Sequence, residues 1–254
     1  MDIVCDARWG RTGETYGEDP FLASEMVRAA VKGLQDNPDP AKRVAASVKH
    51  LAAGGVSAGG VNHASAEISE RFLRSYILPP FKAAVEAGCM TIMPGHNDIG
   101  GIPCHASRWL LTDVVKGEFG FGGFFISDMM DMDNLTSLHF TAENQSQALE
   151  KSINAGMDMH MYSPDSLQFA VPVRQLVREG KIPVSRIDDA VRRILKVKFS
   201  LGLFETAIRI RQQTGMPRPT TAGRRSRRPA NAWSCSRTRG ISCRWTPRNT
   251  GGSS

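Results

Sequence analysis

Short apolar runs alternate with longer segments of helical periodicity along residues 1–200. The apolar runs have the length of strands and lie at residues 3–5, 44–51, 90–93, 124–126 and 157–161. In the segment 20–35, apolar residues recur every three or four positions, which is the spacing of a helix with one buried face. An order in which strands and helices alternate predicts a parallel sheet wound with helices.

Caps and helix breakers give the predicted helix boundaries. Asp19 followed by Pro20 is a typical helix start, and this helix is predicted to run to Gln35. Pro79-Pro80 is expected to kink or divide a helix over residues 67–87, and Gly88 to end it. Further helices are predicted at residues 107–116, 141–155, 165–178 and 185–200.

Polar residues stand where the predicted strands end. They are Asp6, Arg8 and Arg11 after the first strand, Lys49 and His50 at the second, His96 and Asn97 after the third, and Asp128 after the fourth. In a β/α barrel the carboxyl ends of the strands meet at one mouth. A carboxylate beside cations stays ionised and can attack an electrophilic carbon, and a ring of donors suits sugar hydroxyls.

Each of these residues also has a purely structural interpretation. Asp128 could cap a turn, Arg8 or Arg11 could form a surface ion pair, His50 could be a core histidine, and Asn97 could be a turn residue. Taken one at a time, none of the residues decides between the two interpretations. Their shared position at strand ends favours the functional one.

Chain length limits how much of a barrel the sequence can build. The chain has 254 residues, 41% of them hydrophobic, and is therefore long enough for one β/α barrel of about 250 residues. Five strands do not close an eight-stranded barrel, so we expect a partial barrel of about five β/α units, with about three more units upstream. The sequence has no apolar run of about 18 residues and no basic then apolar start. We therefore expect neither a membrane span nor a signal peptide, and localisation stays open.

Basic charge is confined to the C-terminal part of the chain. The formal net charge is +7, but residues 206–254 hold eleven Arg and no Lys, Asp or Glu, so residues 1–205 carry 21 basic and 25 acidic side chains. We therefore predict no nucleic-acid partner, and a basic, low-complexity tail over residues 206–254 that is disordered. The five Cys form no C-x-x-C, and no His lies at metal spacing, so neither a metal nor a cofactor is expected.

Several longer motifs identify a family resemblance over residues 1–205. They are D-A-R-W-G-R-x-x-E-x-x-G-E-D-P, V-K-H-L, I-S-E-R-F-L-R-x-x-I-L-P-P-F-K-A-A-V-E-A-G, I-M-P-G-H-N-D-I-x-G-I-P, W-L-L-T-D-V-V-K-G-E-F-G-F-x-G-F-F-I-S-D, A-G-M-D-M and R-I-L-K-V-K-F-S-L-G-L-F-E. These motifs, in this order, resemble the N-terminal barrel domain of glycoside hydrolase family 3, a family of β-glucosidases and β-xylosidases.

The resemblance implies an activity and assigns residues to it. The family hydrolyses terminal β-linked sugars with retention and without a metal, and its nucleophile is the Asp of the S-D motif, which is Asp128 here. Lys49, His50 and Arg11 would bind hydroxyls of the sugar next to the scissile bond, with Arg8 the second choice for the role of Arg11. We add His96, at the end of the third strand, to this substrate-binding set. The expected substrate is a small oligosaccharide or an aryl β-glycoside.

Departures from the family pattern leave the sugar undecided. Met129 stands where the family usually has Trp, and Val61 where many members have Arg, so glucose and xylose both remain possible. Asp131 is the nearest rival nucleophile, but three residues past the strand end it is expected to have left the mouth. The acid/base Glu of the family comes from a second domain, which this chain is not expected to contain.

Alternatives remain for both the function and the tail. One is the β-N-acetylglucosaminidase branch of the family, with His63 on a loop as acid/base; another is an inactive remnant with weak sugar affinity. Codons can also be chosen for residues after Glu205 so that a shifted reading frame continues the family pattern. A lost base is therefore our hypothesis for the tail.

Overall fold

The computed structural model describes residues 1–39, 42–161 and 167–205, together with the backbone of residues 232–236 and 242–246. These residues fall into two units, Met1–Ile210 and Arg211–Ser254, and each unit is described by itself. Among the described residues, no helix is both long enough and apolar enough to cross a membrane.

The strands of the first unit are β1 (Ser47–Leu51), β2 (Thr91–Pro94), β3 (Asp98–Ile99), β4 (Ile102–Pro103) and β5 (Phe124–Phe125). A parallel sheet contains β1, β2 and β5 in that order, with Ser47 opposite Thr91 and Thr91 opposite Phe124. The short strands β3 and β4 form a separate antiparallel pair. The order of the parallel sheet follows the chain, as expected when each strand returns through a helical connection.

The helices are α1 (Pro20–Gln35), α2 (Glu70–Phe72), α3 (Pro79–Glu86), α4 (Asn134–Ser137), α5 (Gln145–Ala155), α6 (Leu167–Arg178) and α7 (Val184–Ser200). Two π-helical segments, Leu73–Ile77 and Trp109–Glu118, complete the connections, with short 3₁₀ turns at Thr12–Glu14, Gly54–Val56, Ala58–Gly60 and Cys104–Ala106. Helices and parallel strands alternate, so the predicted α/β class is confirmed. The number of β/α units stays a prediction.

Local sequence explains where the helices begin and end. Asp19 accepts a hydrogen bond from the Phe21 backbone N–H at 2.8 Å and caps α1, which ends at Gln35 as predicted. Pro79 begins α3, so the proline pair divides the predicted helix over residues 67–87 because proline lacks the N–H that a continuous helix needs. Gly88 ends the segment in the left-handed region, with φ of +81°.

The core lies between the parallel sheet and the helices that cover it. All four residues of β2 are buried, which is typical of a strand covered on both faces. The largest fully buried side chains include Phe81 of α3, Phe125 of β5 and Ile92 of β2. Helix α1 packs against α3 and so closes one side of this core. The sheet is therefore held rigidly, and its carboxyl ends are fixed in position.

The first predicted strand, residues 3–5, does not form. Its backbone N–H groups donate to loops instead of to a strand. The N–H of Val4 donates to the carbonyl of Gly17 at 3.2 Å, and the N–H of Cys5 donates to the carbonyl of Gly55 at 3.0 Å. Where β1 needs a partner, the carboxylate of Asp2 accepts the backbone N–H of His50 at 3.1 Å. A side chain thus replaces the neighbouring strand, and the expectation of a strand here is wrong.

The fifth predicted strand, residues 157–161, is reduced to a single parallel bridge between Ile126 and Met159. Met159 donates its N–H to the carbonyl of Phe125 at 2.9 Å, so the segment does lie beside β5 as predicted. Two residues later, the N–H of Met161 bonds to the hydroxyl of Ser127 at 2.7 Å instead of to a backbone carbonyl. The ladder therefore ends after one bridge.

The second unit contains two antiparallel strands, β6 (Ala232–Ser236) and β7 (Ser242–Thr246), with Ala232 opposite Thr246. The prediction of no fold for residues 206–254 stays a prediction, since the described backbone of that segment is limited to these two strands. Their sequences, A-W-S-C-S and S-C-R-W-T, alternate large and polar residues with period two, which is a strand pattern. Residues 206–231, 237–241 and 247–254 lie outside the described residues, so the disorder and lost-base hypotheses are untested there.

The start of β5 predicts a strict requirement for glycine. A Cβ on Gly123 would lie 2.2 Å from the carbonyl oxygen of Met90, whereas the nearest atom to a Cβ on Gly122 is the Lys196 ammonium at 3.5 Å. We expect Gly123→Ala to lower the free energy of unfolding by about 1–3 kcal/mol, because backbone must move to relieve the overlap. Gly122→Ala is the matched control and should change it by about 0.5 kcal/mol or less. Urea denaturation measures both, and equal losses would contradict the argument.

Candidate active site

The carboxyl ends of β1, β2 and β5 bring three polar side chains to one place. His50 lies near the end of β1, His96 follows β2, and Asp128 follows β5. One carboxylate oxygen of Asp128 lies 3.0 Å from Nε2 of His96 and 3.5 Å from Nε2 of His50. The sequence predicted that these residues converge, and the parallel order of the strands is the reason that they do.

Asp128 has one oxygen bound to the backbone and one directed at the histidines. Its Oδ1 accepts a hydrogen bond from the N–H of Met129 at 2.7 Å, and its own N–H donates to Nε2 of His105 at 3.2 Å. The side chain is 17% exposed, so a small molecule can reach this carboxylate. Burial lowers the pKa of His105 to about 4, which keeps that imidazole a neutral acceptor.

The electrostatics of the site keep Asp128 ionised. Partial burial opposes ionisation, but the hydrogen bonds from His96 and from the Met129 N–H, together with the charge of His96, outweigh it. The pKa of the Asp128 carboxyl is therefore held well below its ordinary value. At neutral pH the site presents a carboxylate, which can act as a nucleophile, stabilise a cation or bind a metal.

His96 lies between two carboxylates, Asp128 and Asp131. Its Nδ1 is 2.8 Å from Oδ2 of Asp131, opposite the 3.0 Å approach of Nε2 to Asp128. Burial lowers the pKa of His96, but the two carboxylates outweigh burial and raise the pKa to about 9. The imidazole is therefore cationic at neutral pH and faces Asp128.

The expectation that Asp131 has left the mouth is wrong. Met130 adopts a positive φ of 64°, and the turn that it makes directs Asp131 back beneath His96. Asp131 is only 1% exposed and accepts a hydrogen bond from Asn134 at 2.8 Å. A substrate cannot reach this carboxylate directly, so Asp131 positions His96 and does not compete with Asp128.

His50 is held by Asp2, which the sequence analysis missed. Nδ1 of His50 bonds to Oδ2 of Asp2 at 3.1 Å, and Nη2 of Arg11 approaches Nε2 of His50 at 2.9 Å. Because a carboxylate only accepts and a guanidinium only donates, we assign the proton to Nδ1 and the lone pair to Nε2. Asp2 precedes an apolar run, which is the only sequence signal that could have suggested it.

Arg11 and Lys49 share a second unpredicted residue, Glu14. Two hydrogen bonds, at 2.9 and 2.8 Å, join the guanidinium of Arg11 to this carboxylate, and the ammonium of Lys49 lies 3.7 Å from it. Hydrogen bonding to Arg11 lowers the pKa of Glu14 to about 2. Both predicted cations therefore stand beside the site, held by one ionised carboxylate.

Arg8 is not brought to this cluster. Its side chain is 73% exposed and forms an ion pair with Asp6 at 2.6 Å, which matches the structural interpretation left open for it. Asn97 likewise serves the fold, because its buried amide donates to the carbonyls of Ala52 and Asp98 at 3.1 and 3.0 Å. The two residues that depart from the family pattern, Val61 and Met129, are exposed.

Comparison with known proteins identifies the family. The model described as "Glycosyl hydrolase family 3 N terminal domain" matches residues 1–197. The chain belongs to glycosyl hydrolase family 3. The predicted resemblance is thereby confirmed, and the described parallel sheet with its helices is consistent with the α/β barrel fold of this domain.

Relatives of this family 3 chain carry the names of two activities. It is 41% identical to a beta-xylosidase of Formosa agariphila, over 81% of this chain and 30% of that protein. It is 39% identical to a lysosomal beta glucosidase of Dictyostelium discoideum, over 80% of this chain and 26% of that protein. The structure of a beta-glucosidase from Listeria innocua, solved in complex with glucose, superposes on this chain with a TM-score of 0.75 and 38% sequence identity. The match covers 81% of this chain and 28% of that one. The chain thus spans about a third or less of each relative.

The raised pKa of His96 predicts a pH-dependent contribution to the stability of this family 3 chain. The folded value of about 9 exceeds the ordinary 6.5, so the stabilisation is fully present below pH 6.5 and is lost as the pH rises through 9. The stability difference between the native chain and His96→Gln should therefore shrink between pH 6.5 and 9, as followed by urea denaturation. A His96 imidazole that titrates near 6.5 by NMR would contradict the assignment.

Proposed function

We propose that this chain carries the nucleophile and the sugar-binding residues of a retaining β-glycosidase, with terminal β-D-glucosides as the first candidate substrates. The observation that carries the proposal is the geometry of Asp128, an ionised carboxylate with one oxygen open to the mouth and donors around it. A partly buried carboxylate placed beside imidazoles and near a guanidinium group suits attack on a sugar carbon.

Asp128 would attack the anomeric carbon through Oδ2. The bond from that carbon to the leaving oxygen breaks, and the oxygen takes a proton from an acid. The glycosyl ester of Asp128 is then hydrolysed by water, which attacks the same carbon, gives its proton back to the group that acted as the acid, and releases the carboxylate, so the configuration is retained. The cationic His96, 3.0 Å from Oδ2, would favour the return of the carboxylate as a leaving group.

The donors around Asp128 support sugar binding. His50 and His96 lie beside the carboxylate, Arg11 approaches Nε2 of His50, and Lys49 lies beside Glu14. Arg11, Lys49 and His96 can donate N–H groups to sugar hydroxyls, and Nε2 of His50 can accept from one. The relatives are named beta-xylosidase and beta glucosidase, so the choice of sugar rests on experiment. A small oligosaccharide or an aryl β-glycoside remains the proposed substrate.

The leaving group needs an acid, and Glu14 is a poor candidate. Its pKa is lowered to about 2 because it is bound to Arg11, so it is ionised when the reaction would need its proton. The family resemblance implies a Glu from a second domain instead. A substrate with an acidic leaving group needs this proton least, which makes it the right probe for the chain as it stands.

His63 supports a less favoured second candidate, the β-N-acetylglucosaminidase reaction. Its ring stacks on that of His96 with centroids 4.3 Å apart, and burial lowers its pKa, so it is neutral at pH 7 and could exchange a proton. However, the loop after Lys49 and His50 reads L-A-A-G-G-V, without the K-H-F-P-G-H-G run of that branch. The glucosidase proposal therefore comes first.

Covalent trapping tests the nucleophile. We expect 2,4-dinitrophenyl 2-deoxy-2-fluoro-β-D-glucoside to label the chain of residues 1–254 on the peptide that contains Asp128, as read by mass spectrometry of a digest. Asp128→Asn should abolish labelling because the amide is a poor nucleophile. Asp6→Asn should not, because Asp6 is a partly buried aspartate paired with the exposed Arg8 and not with the cluster. A folded chain that takes no label would favour the inactive remnant instead.

Arg11 and Arg8 form a matched pair for the sugar-binding residues. Arg11→Ala should slow labelling by about tenfold or more, because a hydrogen bond to a charged group contributes about 1.5–3 kcal/mol. Arg8→Ala removes the same charge at the exposed pair with Asp6 and should change the rate by about twofold or less. The reverse order of effects would restore Arg8 as the sugar-binding arginine.

A further inference from the structure

The same cluster that surrounds Asp128 has the composition and spacing of a metal site. One ring nitrogen of His50, one of His96 and a carboxylate oxygen of Asp128 all lie within 4.8 Å of one another. Nε2 is the nitrogen of each ring that approaches Asp128. Zinc bonds of about 2.0–2.1 Å to nitrogen and oxygen in a tetrahedron place neighbouring ligand atoms about 3.3–3.4 Å apart. The distances of 3.0 and 3.5 Å from Asp128 to the two imidazoles bracket that value.

The residues behind the two histidines strengthen the comparison. Nδ1 of His50 bonds to Asp2 at 3.1 Å, and Nδ1 of His96 lies 2.8 Å from Asp131. Both carboxylates are 1% exposed. Histidines that bind metals commonly have a carboxylate on the second nitrogen, which fixes the ring and makes it more basic. Here both rings are held in this way, with Nε2 facing the mouth.

The site is also open on one side, as a bound ion would need. His96 and Asp128 are 16% and 17% exposed, so water could take a fourth position. Two changes oppose metal binding: His96 must give up its Nε2 proton, and Arg11 must release Nε2 of His50. The Nη2 group of Arg11 that approaches His50 also bonds to Glu14, so the two side chains would have to move together. Glu14 is 43% exposed and can move with Arg11, which limits that cost.

We infer that His50, His96 and Asp128 bind a divalent transition metal ion such as Zn²⁺, and that a bound ion closes the mouth to sugars. The ligand chemistry of two imidazoles and one carboxylate is that of zinc sites with an open position. The ion is an inhibitor and has no part in the reaction, because it occupies the oxygen that would attack the sugar. Metal binding does not depend on the proposed function. The inhibition of sugar binding does rest on the proposed function.

Calorimetric titration of residues 1–254 with zinc chloride tests the site. We expect one zinc ion per chain, and an affinity that falls by about tenfold or more in His96→Gln and in Asp128→Asn. Asp131→Asn, which leaves all three ligands in place, should cost about 10–100-fold. His63→Gln is the control, because it removes the neighbouring imidazole that stacks on His96 without removing a ligand. Its affinity should stay within about twofold.

Cobalt(II) gives a second readout, because an ion bound by these three ligands and water should show the visible absorption of four-coordinate cobalt. The inference is overturned if zinc does not saturate at one per chain, or if both His96→Gln and Asp128→Asn bind as the native chain does. Should Asp131→Asn fail to fold, the partly exposed Asp128 still provides the decisive variant.

Competition with D-glucose separates this inference from the proposed function. If both hold, glucose should weaken zinc binding, because they occupy the same oxygen of Asp128. Zinc binding that depends on the three residues but is indifferent to glucose would support the metal site and count against the sugar site. Fluorosugar labelling of Asp128 without stoichiometric zinc binding would overturn the metal site alone.

Discussion

The alternation of buried carboxylates and imidazoles is the interaction on which the mouth of this sheet depends. Asp131, His96 and Asp128 form one such row, and Asp2 with His50 forms a second that reaches the same carboxylate. Isolated charges would be costly at this depth, and removing one partner of a buried pair costs about 3–5 kcal/mol. Each group is therefore stabilised by its neighbours, and the reactive oxygen of Asp128 is held where both rows meet.

Side chains also take the place of backbone partners around the sheet. Asp2 accepts the N–H of His50 at the end of β1, and Ser127 accepts that of Met161 beside β5. In β5, the backbone N–H of Phe125 donates a hydrogen bond of 2.9 Å to the buried carboxylate of Asp158. The same carboxylate forms an ion pair with Lys116 at 2.9 Å. The strands can therefore be short without leaving these buried N–H groups unpaired, and polar side chains gather where the ladders end.

This arrangement links the two proposals for the site. A carboxylate kept ionised by cations suits attack on a sugar, and imidazoles kept in one orientation by buried carboxylates suit metal binding. Arg11 distinguishes the two states, because it bonds to His50 in the free site and would have to leave for an ion. The same preorganisation therefore underlies both the proposed attack on a sugar and the proposed metal binding.

The sequence determined the periodic elements, the family and the strand ends that supply Asp128, His50 and His96, because these depend on local spacing and on long motifs. The tertiary structure decided the partners of those residues. Asp2 is 48 residues from His50, a separation that no local pattern encodes. Asp131 is only three residues from Asp128, yet its direction depends on the left-handed turn at Met130. Arg8 and Arg11 occupy the same motif, and only packing sends one to an exposed pair with Asp6 and the other to His50.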